Sequence, residues 1–519
     1  MSDLAWRPAG PPWLIAAVVT LASFMELLDT TIINVCLPNI AGSLSVSFDD
    51  ATWTLTSYLV ANGIVLAIAG WIGRVMGRKR YFLTCIALFT VCSFLCGISQ
   101  SLPQLVICRL LQGFFGGGLQ PNQQAIVLDT FEPHQRGRAF SIVAVAVIFA
   151  PVIAPALGGW ITDNYSWRWV FFINIPVGII AFFSCARLVE DPPWVARDRA
   201  HVADVDYVGL SLIAIGIGCL QIMLDRGEDW DWFSSPLIRF FALISATGLI
   251  AAIAWLLLTD KPVVNLRAFT DRNFAVGVAV LSINAAGLYA SNLLIPAFSQ
   301  QWMGYTALLA GWLLTPGTVV MIFLIPVVNN LCLPNFQTRH LIAFGFIGVA
   351  AAALWARRLT PDIDFFTLAL FRAIQNVGLA FLFVPNSTLA YSTLPRPLYP
   401  DATALYAMFR NISGSIGISV ITATVSQRLE QHRAYLAAHL SPYNQAYNDA
   451  LATYIHTLRA MGNTALQAQH AAMDMLNHVL NRQAGILAYS DAFELLAIAA
   501  LCGIPLSFLF RATTVSARR

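Results

Sequence analysis

WLIAAVVTLASFMELLDTTIINVC, residues 13–36, is the stretch that decides the fold class. A helix needs about 20 apolar residues to cross a bilayer, and this run is long enough. It carries Glu26 and Asp29 where lipid would tolerate no charge. Ionisable groups at membrane depth are costly and rare, so they mark functional positions. The run is too long for a cleavable signal peptide, lacks a basic leader and has acids inside it; it is expected to stay in the mature protein as a spanning helix. Glu26 and Asp29 lie three apart and share a helix face. Like charges repel in low dielectric, so at least one is expected to bind a proton near neutral pH. The alternative is that both sit in permanent ion pairs that only fix helix packing.

The rest of the chain matches. Of 519 residues, 58% are hydrophobic and 11% charged, where a soluble domain has about 25% charged residues. Barrel-type alternation is absent, so the class is all-α polytopic membrane protein. Apolar runs predict fourteen spans near residues 13–36, 52–72, 81–100, 103–127, 138–162, 168–189, 206–224, 237–258, 274–298, 306–331, 340–356, 365–390, 401–426 and 486–510. Lys and Arg set the orientation. With both termini in the cytoplasm, Arg74, Arg78, Lys79, Arg80, Arg136, Arg138, Lys261, Arg267 and Arg272 fall inside, while Asp49, Asp50, Asp163, Asp225 and Glu228 fall outside. Arg357 and Arg358 are the exception. The net charge of +3 is scattered over short loops and implies no nucleic-acid partner. All nine cysteines lie in or beside apolar runs, which predicts neither disulfides nor a metal-thiolate site.

One connection is long and polar, residues 427–485, and the orientation places it outside. Tyr443, Tyr447, Leu451, Ile455 and Leu458 form an apolar stripe that ends at Gly462; Leu466, Met473, Leu476 and Leu480 form a second. Two amphipathic helices are expected. The stripes pack on each other or on the membrane surface, or they form a docking surface. The five histidines here lack metal-site spacing, and no metal is expected.

The chain repeats itself. Arg109-Leu110-Leu111-Gln112-Gly113 with Pro121-Asn122 in the fourth span echoes Arg372-Ala373-Ile374-Gln375-Asn376 with Pro385-Asn386 in the twelfth. Two six-helix repeats plus an inserted helix pair follow, divided as residues 1–200, 201–262 and 263–519. Repeats with a site at their interface mark secondary transporters. At 1.5 Å per residue, Asp29 lies about 24 Å from the inner end of its helix and Arg109 about 9 Å from the outer end of its own. Both fall in the outer third of a core of roughly 30 Å, so they can pair directly or compete for a partner. Arg410 is a further buried-charge candidate; Asp401 is too distant along the same helix to be assigned as its partner.

The run Leu28-Asp29-Thr30-Thr31-Ile32-Ile33-Asn34-Val35-Cys36-Leu37-Pro38, the loop Gly70-Trp71-Ile72-Gly73-Arg74-Val75-Met76-Gly77-Arg78-Lys79, the Arg109, Gln112, Gly113 set and the stretch from Ala150-Pro151 through Pro155 to Gly158-Gly159 stand in register along the chain. Together they resemble the major facilitator superfamily, specifically its fourteen-span drug:proton antiporters of the EmrB/QacA type. Leu220-Gln221-Ile222-Met223-Leu224-Asp225-Arg226-Gly227, Asp231-Trp232-Phe233-Ser234-Ser235 and the long outer segment bring it nearest the EmrB branch. Arg74 stands where the family's loop has an acid, and an alanine replaces glycine before Pro155.

The resemblance implies a proton-coupled multidrug exporter of hydrophobic drugs or toxins in a bacterial inner membrane. It also implies a tripartite assembly with a periplasmic adaptor and a TolC-type outer-membrane channel, reached through residues 427–485. The expected coupling residues are Asp29, Glu26 and Arg109. The expected cavity residues are Glu26, Asn34, Gln112, Arg372, Gln375 and Arg410. Gly70, Arg74, Gly77, Arg78, Pro151, Pro155, Gly158 and Gly159 belong to gating and packing motifs. No cofactor beyond the proton gradient is expected, since no G-x-x-x-x-G-K-[ST] loop is present. An enzyme is disfavoured by the lack of H-E-x-x-H and G-x-S-x-G, and a channel by the lack of filter loops. A narrow-substrate exporter or an uptake permease of the same fold remains the alternative.

Overall fold

A computed structural model describes residues 10–132, 134–193, 206–260, 262–358, 360, 363–441 and 443–511, and all regular structure among them is helical. The first half holds α1 (Pro12–Leu44), α2 (Trp53–Met76), α3 (Arg78–Gly97), α4 (Leu102–Gly116), α5 (Leu119–Thr130), α6 (Arg136–Asn164) and α7 (Asn174–Leu188). An additional pair follows, α8 (Tyr207–Arg226) and α9 (Pro236–Leu258). The second half holds α10 (Arg272–Trp302), α11 (Ala307–Val327), α12 (Thr338–Ala356), α13 (Phe365–Ala390), α14 (Tyr399–Ala437), α15 (Gln445–Ala460) and α16 (Ala465–Ser507).

Twelve of the helical stretches among the described residues are long and apolar enough to cross a membrane. The two other expected spans coincide with α6, of 29 residues, and with α4 and α5 taken together. The interruption between α4 and α5 falls at Gly117 and Gly118, and α5 is rich in amides at Gln120, Asn122, Gln123 and Gln124. Glycine weakens the helix and the amides lower the apolarity of the segment. The protein is a multi-pass membrane protein.

The two halves repeat one packing scheme. In the first, α1 packs on α6 and α7, α4 on α2 and α3, and α3 on α7; in the second, α10 packs on α14 and α16, α13 on α11 and α12, and α12 on α16. Glycines close corresponding seams. A Cβ on Gly158 of α6 would lie 2.6 Å from Ile32 Cγ1, and one on Gly417 of α14 would lie 2.3 Å from the Ala286 carbonyl oxygen. Across the halves α2 packs on α14 and α6 on α11, again as a matched pair, and α8 touches both α2 and α14.

Both described chain ends lie on one face. The Trp13 ring lies tilted against Phe131 at the end of α5, with centroids 4.9 Å apart, and the Arg511 backbone N–H donates to Asn273 at the start of α10 at 2.9 Å. On this face Asp206 caps α8 through the Gly209 N–H at 2.8 Å, and Asp271 caps α10 through the Phe274 N–H at 2.9 Å. Such caps satisfy orphan helix donors, at about 1 kcal/mol each.

Residues 427–485 differ from two free-standing amphipathic helices. The first expected stripe is α15, but the second is the start of α16, which runs on without a break into the final span. No proline or unpacked glycine lies between the amphipathic start and the span, and Pro505 falls only in the last turn; Gly485 is used for close approach, since a Cβ there would lie 2.1 Å from Trp302. Gly462 takes a φ of +94° in the turn, and Thr464 with Gln467 forms a capping box that starts α16. With 43 residues α16 is about 65 Å long, roughly twice the bilayer core. The α15 stripe packs on α16. Tyr443, Met461, Leu466, Met473, Met475 and Val479 remain exposed on this projection.

Candidate functional site

The two acids of α1 hold separate seats. Asp29 is fully buried. Its Oδ2 accepts from Arg109 Nη1 at 2.6 Å, and its Oδ1 accepts from Gln112 Nε2 at 3.1 Å and Asn174 Nδ2 at 2.7 Å. Arg109 also donates to Gln112 Oε1 at 2.9 Å and, through Nε, to the Thr54 carbonyl at 3.1 Å. Its guanidinium lies 4.3 Å from the Tyr58 ring centroid. Groups from α1, α2, α4 and α7 thus meet at one ion pair. Among the described residues Arg109 Nη2 has no hydrogen-bond partner. Removing one member of such a buried pair strands the other, which costs about 3–5 kcal/mol.

Glu26 faces a different set. Its Oε1 accepts from Tyr58 Oη at 3.1 Å and Asn62 Nδ2 at 3.1 Å, and its Oε2 accepts from Gln120 Nε2. These donors are all neutral. Arg410 of α14, in the other half, acts on Glu26 electrostatically, and Asn411 beside it donates to Asn62 Oδ1 at 3.3 Å. Glu26 therefore lies where the two halves meet. Tyr58 joins the two seats: its hydroxyl holds Glu26 while its ring lies against Arg109.

The other expected residues distribute as follows. Gln112 is fully buried and belongs to the Asp29 seat, not to an open cavity. Arg372 and Gln375 form their own network in the second half, with Arg372 Nη1 donating to Gln375 Oε1 at 2.6 Å. Asn34 is exposed on α1, apart from both seats. Gly158 sits on Ile32, and Gly159 accepts from Thr162 Oγ1 at 3.0 Å. The side chains of Pro151 and Pro155 lie outside the described residues.

The loop motif forms a closure between the halves. Arg74 pairs with Asp401 at the start of α14. A Cβ on Gly70 would lie 2.6 Å from the Pro400 carbonyl oxygen, so α2 and α14 touch backbone to backbone there. Gly77 has a φ of +85°, a left-handed turn that suits glycine. Arg78 pairs with Asp129 within the first half. Arg136 Nη1 donates to Tyr399 Oη at 2.9 Å, and Tyr391 Oη donates to Gln124 at 3.3 Å. Asp401 is thus the partner of Arg74 and not of Arg410, nine positions along its own helix. The basic loop residue and this acid are a charge pair in place of the loop acid that the resemblance leads one to expect.

Sequence reasoning did not find Asn174, Tyr58, Asn62, Gln120 or Asn411. Polar neutral residues in apolar runs carry little signal; only the spacing of Tyr58 and Asn62, one turn apart, hints at a shared face. Among the described residues no group of His, Cys, Asp and Glu could hold a metal ion.

Comparison with known proteins agrees with this architecture. The family described as Major Facilitator Superfamily matches residues 19–418. The multidrug export protein EmrB of Haemophilus influenzae is 37% identical over 433 residues, 83% of this chain and 84% of that one. EmrB of Escherichia coli K12 is 35% identical, covering 88% and 87%. The fatty acid resistance protein FarB of Neisseria gonorrhoeae is 33% identical, covering 94% of each. Among solved structures, the human organic anion transporter MFSD10 superposes with a TM-score of 0.59 at 12% identity, covering 96% of this chain and 99% of that one, a likeness of fold alone. The chain belongs to the major facilitator superfamily, as a relative of its EmrB-type members.

Proposed function

We propose that this protein is a proton-coupled exporter of hydrophobic drugs or toxins and has no enzymatic activity. It sits in a bacterial inner membrane with both termini in the cytoplasm. The single observation that carries this reading is the Asp29–Arg109 ion pair, buried at membrane depth beside a second acid that faces the other half. A proton on Asp29 removes the charge that Arg109 neutralises. Arg109 then shifts against the Tyr58 ring, and Tyr58 carries the change to Glu26 at the interface. Asp29 is the coupling residue, Arg109 tunes it, and Glu26 contacts substrate or supports coupling. The two halves rock about the space between Glu26 and Arg410, and Arg74–Asp401 holds them together on the cytoplasmic side. The relatives called multidrug export proteins favour a broad substrate range over a narrow one.

We further propose that the projection formed by α15 and the outer part of α16 docks a periplasmic adaptor, which leads to an outer-membrane channel of the TolC type. Its exposed Tyr443, Met461 and Leu466 supply apolar contact area. The test uses purified protein in liposomes with an imposed proton gradient and a panel of hydrophobic drugs. Drug-dependent proton flux in the wild type, lost in Asp29→Asn, is the expected result. Flux that survives in Asp29→Asn removes Asp29 from coupling, and no flux with any drug removes the antiport reading.

A further inference from the structure

Asp491 and Glu494 are a second pair of acids three residues apart, within the expected final span. They line a groove of about 540 Å³ between α14 and α16. Arg428 and Gln431 of α14 stand across from them, and Leu495 and Ile498 of α16 continue the same wall. Steps of three and four positions keep the α16 residues on one helix face. Arg428 Nε lies 3.4 Å from Asp491 Oδ2, and His432 Nε2 lies 3.0 Å from the same oxygen. Arg428 Nη1 donates to Gln431 Oε1 at 3.0 Å. Glu494 Oε1 pairs with Arg357 Nη1 at 3.3 Å, just beyond the end of α12. Among the described residues Asp491 Oδ1 and Glu494 Oε2 take no hydrogen bond. Half-exposed ion pairs of this kind add little to helix packing.

The groove has a polar end at the headgroup level and an apolar end in the membrane. Ser490 Oγ donates to the Arg357 carbonyl at 2.8 Å, and Tyr489 Oη donates to Gln301 at 3.0 Å. Asp491 therefore stands level with the ends of α10 and α12, where Trp302 and Trp355 lie. Tryptophan and tyrosine gather at the membrane–water boundary. From Asp491 to Ile498 the wall descends about 10 Å, and Ile498 is 51% exposed. An exposed isoleucine at that depth of a spanning helix meets acyl chains. A cation beside two acids, above an apolar wall, complements a zwitterionic phospholipid. A net anionic headgroup would face two carboxylates. A choline headgroup has no N–H to donate and is held best by aromatic faces, and none is among the residues that line the groove. A primary ammonium supplies donors for both open carboxylate oxygens.

We propose that this groove binds a zwitterionic phospholipid with a primary ammonium headgroup. The phosphate accepts from Arg428 and the Gln431 amide, the ammonium donates to Asp491 and Glu494, and one acyl chain lies along Leu495 and Ile498. The lipid ties α14 to α16 at the root of the projection, where both helices leave the membrane.

The test incubates the full-length protein in detergent with equimolar palmitoyl-oleoyl phosphatidylethanolamine, phosphatidylcholine and phosphatidylglycerol, and counts bound lipid by native mass spectrometry. The wild type is expected to retain phosphatidylethanolamine at least about tenfold over the other two, the range of a charge-assisted hydrogen bond. The N-monomethyl lipid still offers a donor to each carboxylate and is expected to bind within about twofold, whereas the N,N-dimethyl lipid falls toward phosphatidylcholine. This series needs no variant, so it stands whether or not the variants fold. Asp491→Asn combined with Glu494→Gln is expected to abolish the preference over phosphatidylcholine, and Arg428→Gln to weaken both zwitterionic lipids roughly tenfold. Equal retention of the three lipids, a preference for phosphatidylglycerol, or a preference that survives in Asp491→Asn with Glu494→Gln would each overturn the proposal. So would displacement of the lipid by equimolar phosphoethanolamine, which would assign the groove to a soluble headgroup.

Discussion

Arg109 and Asp29 are 80 positions apart in the chain and 2.6 Å apart in the structure, and neither is exposed. The polar contacts of the Asp29 seat are arranged around that pair. Thr54 and Gln112 orient the guanidinium, Asn174 and Gln112 orient the carboxylate, and Tyr58 lies between this pair and Glu26. Asp29→Asn keeps the shape and removes the charge. It is expected to destabilise the protein by about 3–5 kcal/mol, because Arg109 is left buried and unpaired. The double variant Asp29→Asn, Arg109→Gln is expected to recover much of that loss. Thermal unfolding in detergent separates the two.

Glu26 is held by Tyr58, Asn62 and Gln120, all neutral donors. Glu26→Gln therefore leaves no stranded cation and is expected to fold with a loss of about 1–2 kcal/mol or less. Its effect falls on substrate. Cationic drugs are expected to bind roughly tenfold more weakly, with neutral drugs within about twofold, as read by equilibrium binding on the purified variant.

Arg74 and Asp401 test the closure. Arg74→Asp opposes two acids across the halves and is expected to weaken the closed state on that side by about 2 kcal/mol, a roughly thirtyfold shift in population. Asp401→Arg combined with Arg74→Asp restores an opposite-sign pair. Labelling rates of a cysteine introduced near the closure are expected to rise in the single variant and to return in the pair. Equal rates in all three would leave the ion pair without a role in gating.

Gly113 sits where α4 meets α2. A Cβ there would lie 2.3 Å from the Tyr58 carbonyl oxygen, a backbone atom with little room to move. Gly113→Ala is expected to cost about 1–3 kcal/mol. It also displaces Tyr58, so the affinity for cationic drugs is expected to fall with stability. Thermal unfolding and drug binding on the same sample check both.

Removal of α15 with its turns, residues 438–464, leaves α14 and α16 in place. Transport into everted vesicles is expected to persist, while drug resistance of cells is expected to fall to the level of cells without the transporter. Resistance that survives the deletion contradicts the docking role.

The helix pattern and the buried charges Asp29 and Arg109 were legible because charge in lipid is costly enough to stand out, and because Arg109 and Arg372 repeat one motif; that the two charges pair directly was one of two arrangements their depths allowed. The partition of Glu26 and Asp29 was not. A three-residue spacing says that two side chains share a face, yet they diverge by roughly 60° around the axis, enough to put Gln112 and Asn174 beside one and Asn62 and Gln120 beside the other. Asn174 and Tyr58 went unseen since a neutral polar residue in an apolar run is unremarkable until its partner is known. The bond between Arg74 and Asp401 spans 327 positions; its register depends on how the halves meet, which neither helix records by itself. The union of the outer amphipathic stripe with the last span in α16 was hidden by the change in hydropathy at the membrane surface, where the backbone continues unchanged.

In the proposed mechanism the proton on Asp29 and the drug at Glu26 are coupled through Arg109 and Tyr58. The most direct measurement adds drug to the purified protein in weakly buffered detergent and records the protons released. Release is expected on drug addition in the wild type and none in Asp29→Asn, with drug still bound. Release of equal size from Asp29→Asn would contradict it, and would move the coupling proton to Glu26 or to a group outside α1.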